Sequence, residues 1–395
     1  MGLSVAKFHG GGRRLTASAA SFNTRLTQLT CFACGRAHDP HVPQRVCTAC
    51  GMPLRADYRL DGSTLPRSAL TSRPASVWRY REVLPLASGE ITLGEGWTPL
   101  VQVEPRVWIK DESRNPTGSF KARGLAMAVS VAHALGAKVL TAPSAGNAAG
   151  ALAAYGARAG IPVIVAMPED TPHGCIEECR AYGAEVKLVP GTISDAGKWL
   201  RDHAPADAFD VSTLKEPYRV EGKKTMAYEL YEQFDGAMPD VIVYPTGGGT
   251  GLVGMGKALE EMRALGWIPE GAKPPRFVSV QTAGCAPVVR AFDNGAEKTE
   301  AWADAETRAW GLRVPAPIGG FVCLRVIRET HGTAVAVSEG EIAPATRALS
   351  ARTGVDICPE TGAAWSAFES LRESGWITPT DRVVVFNTGT GLKYR

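Results

Sequence analysis

Between residues 138 and 386 of the chain, short β-branched and apolar runs alternate with alanine-rich stretches, and this alternation limits the fold more than any other feature. The runs are KVLTA (138–142), PVIVAM (162–167), EVKLV (185–189), DVIVY (240–244), RFVSVQ (276–281) and RVVVF (382–386). Most are apolar nearly throughout, whereas a strand with one wet face would alternate. Segments of helical length lie between them: Ala148 onward, Pro172 to Tyr182, Ile193 to His203, and one behind a glycine cluster. Strands of this kind are buried on both faces by helices, so the pattern predicts an α/β fold with a parallel sheet. Asn147 directly precedes the stretch 148–159 and reads as its N-cap.

At 395 residues the chain exceeds the size at which one core keeps growing, so at least two domains are expected. A charged fraction of 21% and a net charge of +3 give no support to nucleic acid or a membrane as partner, and no stretch is long and apolar enough to span a bilayer. The first thirty residues or so, rich in Gly, Ser, Thr and Arg, read as a flexible tail without the apolar core of a secretion signal. The nine cysteines are odd in number and four of them fall in two close pairs. That usage suits a reducing compartment with metal chemistry, and a cytoplasmic location is expected.

The pairs are Cys31-Phe-Ala-Cys34-Gly and Cys47-Thr-Ala-Cys50-Gly, twelve residues apart. A two-residue spacer lets both sulfurs face one ion, so these four thiolates are candidate ligands of a structural Zn²⁺; the plainer alternative is four free thiols. The remaining five cysteines read as core or surface residues, with Cys175 and Cys179 on one helical face. The seven histidines show no ligand spacing.

Three further segments could carry chemistry. In PTGGGTG (245–251), Gly247, Gly248, Gly249 and Gly251 with Thr250 let the backbone wrap an anion ahead of a helix from about Leu252. Gly249-x-Gly251-x-x-Gly254 also satisfies a dinucleotide fingerprint, but late in the chain and in isolation; Gly251-x₄-Gly256-Lys257-Ala258 lacks the hydroxyl that a nucleotide loop needs for Mg²⁺. Ser144-Ala145-Gly146-Asn147 follows a strand and opens a helix, so its N–H groups either converge on a carboxylate or form a plain turn. Lys121, in NPTGSFKARG after the strand VWIKDE (107–112), is either a solvated charge at a helix start or, if buried near other cations, an amine able to attack an aldehyde.

The string NPTGSFKARG resembles the cofactor-lysine motif of the fold-type-II pyridoxal-phosphate (PLP) enzymes, the tryptophan-synthase-β-like group, and within it the threonine-synthase-like branch. The likeness extends in order through EGWTPL (95–100), SAGNAAGALAAYGARAGI (144–161), PYRVEGKKT (217–225), PTGGGTG (245–251) and NTGTGLK (387–393). It implies that Lys121 forms the Schiff base with the cofactor, with Phe120 beside it among the cofactor contacts. It implies Asn147 on the cofactor's 3′ oxygen, Gly247 to Gly251 on its phosphate and Thr388 facing the pyridine nitrogen. A neutral hydroxyl there leaves that nitrogen largely unprotonated; otherwise Thr388 is a turn hydroxyl. Ser144, Ala145 and Gly146 would take the substrate carboxylate, and Arg219 a substrate phosphate, unless it is an ordinary helix-start charge.

The resemblance also implies a domain plan: a tail over 1–28, a zinc ribbon and linker over 29–88, a large PLP domain over 89–130 and 216–395, and a small substrate domain over 131–215. A homodimer is expected on the same ground. The implied activity converts O-phospho-L-homoserine and water to L-threonine and phosphate. Thr213-Leu214 stand where common threonine synthases have Asn-Ser, and Ala122 where SFKDRG is frequent. These departures leave open β-elimination or β-replacement on serine, threonine or phosphoserine, as in a dehydratase or a cysteate-synthase-like enzyme. A catalytically silent binding module is a third reading, against which the intact Lys121, Asn147 and glycine loop argue.

Overall fold

Each apolar run becomes a strand, and the strands divide between two separate sheets. The structure, a computed structural model, describes residues 20–395. Five short strands come first: β1 (Ser21–Phe22), β2 (Leu26–Cys31), β3 (Ala37–His38), β4 (Leu54–Tyr58) and β5 (Leu86–Ser88). There follow β6 (Leu100–Glu104), β7 (Val107–Asp111), α1 (Lys121–Ala134), β8 (Leu140–Pro143), α2 (Asn147–Ala159), β9 (Val163–Pro168), α3 (His173–Ala181), β10 (Glu185–Val189), α4 (Ile193–His203) and β11 (Phe209–Asp210). The rest of the body is α5 (Tyr218–Gln233), β12 (Val241–Pro245), α6 (Thr250–Ala264), β13 (Arg276–Thr282), α7 (Pro287–Asp293), α8 (Gly320–Glu329), β14 (Thr333–Val337), α9 (Glu339–Thr353), α10 (Pro359–Glu373) and β15 (Val383–Asn387).

The larger sheet has the order β14-β13-β12-β15-β7-β6, parallel except for β6; the smaller has the order β10-β9-β8-β11 and is wholly parallel. In both, the strand order reverses partway. Chain leaving β8 goes to β9 on one side and later returns as β11 on the other, and β12 stands in the same relation to β13 and β15. Loops at such reversals diverge and open a crevice beyond the carboxyl ends of the strands. The loops 144–147, 246–249 and 388–390 all begin there.

Two expectations need correction. Of the expected tail 1–28, residues 1–19 lie outside the described residues, but 20–28 hold β1 and the start of β2. Asn23 fixes this segment: its side-chain amide donates to the carbonyls of Glu82 at 2.9 Å and Leu84 at 2.8 Å. Leu26 and Leu29 then join a core with Trp78, Met127 and Tyr218, which packs the antiparallel β3-β2-β4 sheet onto α1 and the start of α5. Asn147, in turn, is the first helical residue of α2 and caps nothing; the cap position is Gly146, and Ser144 Oγ accepts from the Ala149 N–H at 3.2 Å instead.

A buried ion cluster joins the helices to the larger sheet. Arg123 on α1 donates to Glu112 at 2.6 and 2.7 Å and to Glu229 on α5 at 2.7 Å, and Lys110 on β7 reaches Glu229 at 2.8 Å. All four side chains are fully buried. Burial opposes ionisation of Glu229, but Arg123 and Lys110 outweigh it and hold the carboxyl at about 2. Because that value is depressed, the stabilisation is complete above the ordinary glutamate range and drains away as pH falls toward 2. Glu229→Ala would leave Lys110 buried without a carboxylate and Arg123 with Glu112 alone, so urea unfolding at neutral pH should show a loss of about 3–5 kcal/mol. A loss below about 1 kcal/mol, the level of an exposed pair, would show that the cluster does not hold these elements together.

Candidate active site

The crevice between the two sheets is a cavity of about 430 Å³. All of the residues singled out for cofactor or substrate border it: Phe120 and Lys121 at the head of α1, Ser144 to Asn147 at the head of α2, Arg219 on α5, Gly247 to Gly251 ahead of α6, and Thr388 beyond β15. The four cysteines lie apart, in the β2-β3-β4 sheet and its loops.

Lys121 is held by what precedes it. The Phe120 N–H donates to the Thr388 carbonyl at 3.0 Å, which ties the lysine loop to the end of β15. The amine makes no side-chain hydrogen bond among the described residues and lies 4.6 Å from the centroid of the Phe120 ring. Burial, with help from Arg219, lowers its pKa to about 8, against an opposing pull from Glu360. An amine so placed is uncharged about a tenth of the time at pH 7, far more often than an ordinary lysine, and the uncharged form is the nucleophile toward an aldehyde.

The opposite walls offer unpaired groups. Asn147 Oδ1, Arg219 Nε and the Tyr244 hydroxyl are buried without a protein partner. Buried polar atoms are nearly always satisfied, so three orphans around one cavity point to a polar ligand. The glycine loop is shaped for an anion: Gly249 caps α6 in the left-handed region at φ 80°, and a Cβ on Gly251 would come within 2.0 Å of the Tyr244 hydroxyl. The helix begins at Thr250, two residues earlier than its sequence suggests, so the dipole of α6 is aimed from the loop itself. Neither competing glycine reading survives. Gly254 is a packing residue whose added Cβ would meet the α5 backbone, and Lys257 is locked onto Glu261 at 3.0 Å and onto Glu221.

Arg219 is anchored rather than free. Its Nη1 donates to the Val211 carbonyl at 2.9 Å, while the Tyr218 and Arg219 N–H groups donate to Glu216, each at 2.8 Å. Burial pushes Glu216 up to about 7 despite those bonds and the Arg219 charge. Of the two unusual residues ahead of α5, Thr213 borders the cavity, whereas Leu214, at φ 56°, turns into the core against Gly319.

Several wall residues had no site role in the sequence reading, among them Glu360, Lys223 and Cys175. Glu360, at the head of α10, accepts from the Tyr394 hydroxyl at 2.7 Å and the Gly311 N–H at 2.8 Å. Lys223 lies one turn beyond Arg219 on α5. Its signal was present in PYRVEGKKT, but two adjacent lysines look alike in sequence. Cys175, one of the five cysteines read as core or surface, also borders the cavity.

Comparison with known proteins agrees with this geometry. Residues 91–389 match the family described as pyridoxal-phosphate dependent enzyme. The chain is 32% identical over 377 residues to the threonine synthase of Methanosarcina acetivorans, covering 93% of this chain and 92% of that one. The Methanocaldococcus jannaschii threonine synthase gives 32% over 375 residues, with 92% of each chain covered. Among solved structures, an L-serine ammonia-lyase from Rhizomucor miehei aligns with a TM-score of 0.64 at 22% identity over 75% of this chain and 97% of its own. Maize serine racemase aligns at 0.61 and 20% identity, over 74% and 88%; both show the shared fold. The chain is thus a PLP-dependent enzyme of the fold-type-II group and belongs to the threonine synthase family.

Proposed function

We propose that this enzyme converts O-phospho-L-homoserine and water to L-threonine and inorganic phosphate. The observation that carries the proposal is similarity to threonine synthases over more than nine-tenths of both chains. The cavity supports it by placing Lys121 and a second anchored cation, Arg219, on the same space. Pyridoxal phosphate supplies an aldehyde to hold the substrate amine and a ring to spread the electrons released at Cα.

The protein's own groups divide the work. Lys121 would hold the cofactor through its aldehyde carbon, and its free amine would serve as the base at the substrate Cα. Asn147 would hold the cofactor's 3′ oxygen, Thr388 would face the pyridine nitrogen, and the N–H groups of Gly247 to Gly251 would hold the phosphate. The N–H groups at Ser144 to Gly146 meet the substrate carboxylate, and the guanidinium of Arg219 its phosphate, a geometry that suits two parallel hydrogen bonds. In this reading residues 131–215 act as the substrate domain, and 89–130 with 216–395 as the cofactor domain. The buried turn of Leu214 favours a second reading, elimination or replacement on an unphosphorylated amino acid, because it removes one polar group from the phosphate end of the site.

We further propose that Cys31, Cys34, Cys47 and Cys50 hold one structural Zn²⁺. Their sulfurs lie within 4.8 Å of one another, with separations of 3.5 and 3.6 Å among them. Four sulfurs about 2.3 Å from a tetrahedral ion stand roughly 3.8 Å apart, so the cluster matches. Metal analysis should find about one zinc per chain in wild type and little in Cys34→Ser, with turnover affected less than the stability of residues 30–60. A chain purified in reducing, chelator-free buffer without zinc would remove the metal from this account.

Borohydride should fix the cofactor to the peptide that contains Lys121, and an adduct elsewhere would overturn that assignment. Capture of cofactor by the apoenzyme should speed up as pH rises through about 8, where the Lys121 amine loses its proton, and level off above it.

Arg219→Ala separates the two substrate readings. Loss of a charge-assisted hydrogen bond costs about 1.5–3 kcal/mol, so kcat/KM for O-phosphohomoserine should fall roughly ten- to a hundredfold or more while serine and threonine barely respond. A wild-type enzyme that turns over threonine well and ignores O-phosphohomoserine would sink the threonine synthase reading.

A further inference from the structure

α5 carries two successive lysines that the fold treats in opposite ways. Lys224 donates to Glu221 at 2.6 Å, to Glu261 at 2.9 Å and to the Val83 carbonyl, so its charge and all three N–H groups are satisfied. Lys223 faces the cavity and is equally buried, yet among the described residues its one hydrogen-bond partner is the Phe120 carbonyl. No carboxylate lies within salt-bridge distance of it among the described residues. Two of its N–H bonds therefore point at no acceptor, in surroundings where a desolvated donor is costly.

Its position is specific. The amine lies 3.3 Å from the centroid of the Phe120 ring, which meets Tyr244 edge-on at 6.1 Å, and the Tyr244 hydroxyl abuts Gly251. At its base, the Lys223 Cβ would be 3.0 Å from a Cβ added to Gly254, one turn inside α6. Lys223 thus stands between the lysine loop and the first turn of the helix behind the glycine loop.

The other cations are committed. Arg313 borders the cavity but pairs with Asp170 at 3.0 Å, and Lys257 is held by two glutamates. Lys121 and Arg219 are assigned to aldehyde and substrate. The glycine loop brings only neutral N–H groups and the dipole of α6 to a guest that carries close to two negative charges.

We propose that Lys223 is the counter-ion of the cofactor phosphate, donating its two free N–H bonds to phosphate oxygens beside the Gly247–Gly251 loop. The inference rests on the reading of that loop as the phosphate site. Burial, together with Lys121 and Arg219, drives the Lys223 pKa well below the ordinary lysine range; Arg123 adds to this and Glu112 opposes it. A phosphate dianion supplies the acceptors that the surrounding protein groups do not.

The test compares two aldehydes, pyridoxal phosphate and pyridoxal, which differ only in the phosphate. Dissociation constants are measured by equilibrium dialysis for wild type, Lys223→Met and Lys223→Gln, with thermal melts to verify folding. Met removes a buried amine that lacks acceptors without a large change of volume, so the fold should survive it. The expected result is a roughly ten- to a hundredfold weaker hold on pyridoxal phosphate in both variants and an unchanged hold on pyridoxal. Equal weakening toward both aldehydes would reduce Lys223 to a packing residue. Unchanged cofactor binding with a raised KM for O-phosphohomoserine would move it to the substrate. Borohydride labelling of a residue other than Lys121 would overturn the lysine assignment alone, since the comparison of the two aldehydes would still read Lys223.

Discussion

Arg123 and Glu229 meet with both side chains fully buried, and the placement of the site follows from that contact. Glu229 takes two bonds from the guanidinium and one from Lys110, and also accepts the Trp97 N–H at 2.7 Å. One carboxylate so joins α5, α1, β7 and the EGWTPL segment. Charges in such an interior are costly unless every lone pair and proton is used, and here they are. Arg123 follows Lys121 by two residues, and α5 also carries Arg219 and Lys223, so the cluster sets how far the nucleophile stands from the anion-facing wall. EGWTPL, VWIKDE and SFKARG, which read as separate segments, meet in one buried ion assembly through Thr98, Lys110, Glu112 and Arg123, and PYRVEGKKT touches it through the Thr225 hydroxyl, which accepts from Arg123 at 3.1 Å.

The cavity itself is electrostatically unfinished. Lys121, Arg219 and Lys223 face a space bordered by only two carboxylates among the described residues, Glu360 and Asp304, while Glu216 behind Arg219 is pushed toward neutrality by burial. Each of the three cations is lowered in pKa, first by burial and then, for the lysines, by its neighbours. A wall of that kind favours doubly charged guests, which a phosphorylated cofactor and a phosphorylated substrate would both be.

Much of this could be read from sequence, and the failures have physical causes. Parallel strands buried on two faces leave long apolar runs, so all six runs appear as strands within a residue or two of their ends. Glycine loops and a lysine beside them are local features and travel with their motifs. Asn147 misled because the same side chain serves as a helix cap or as a ligand for something the sequence does not contain; Ser144 takes the capping bond, which leaves Asn147 free. The extent of the tail misled because Asn23 acts through carbonyls some sixty residues away. Glu360 and Lys223 were missed for a related reason: which face of a buried helix looks into a cavity depends on partners far along the chain, and adjacent Lys223 and Lys224 differ in nothing but direction.

Fourteen consecutive residues of α5, Tyr218 to Tyr231, are buried. Its neighbours differ on every side: the cavity, the Arg123 assembly, the Glu221 and Glu261 pairings, and the cysteine-bearing sheet, from which Pro40 accepts the Tyr218 hydroxyl at 2.9 Å. A helix with no side open to solvent has almost no neutral substitutions available. Room to alter what the cavity meets lies instead just ahead of it, at Thr213, which borders the cavity and is only half-buried, so a change there need not disturb four packed surfaces at once.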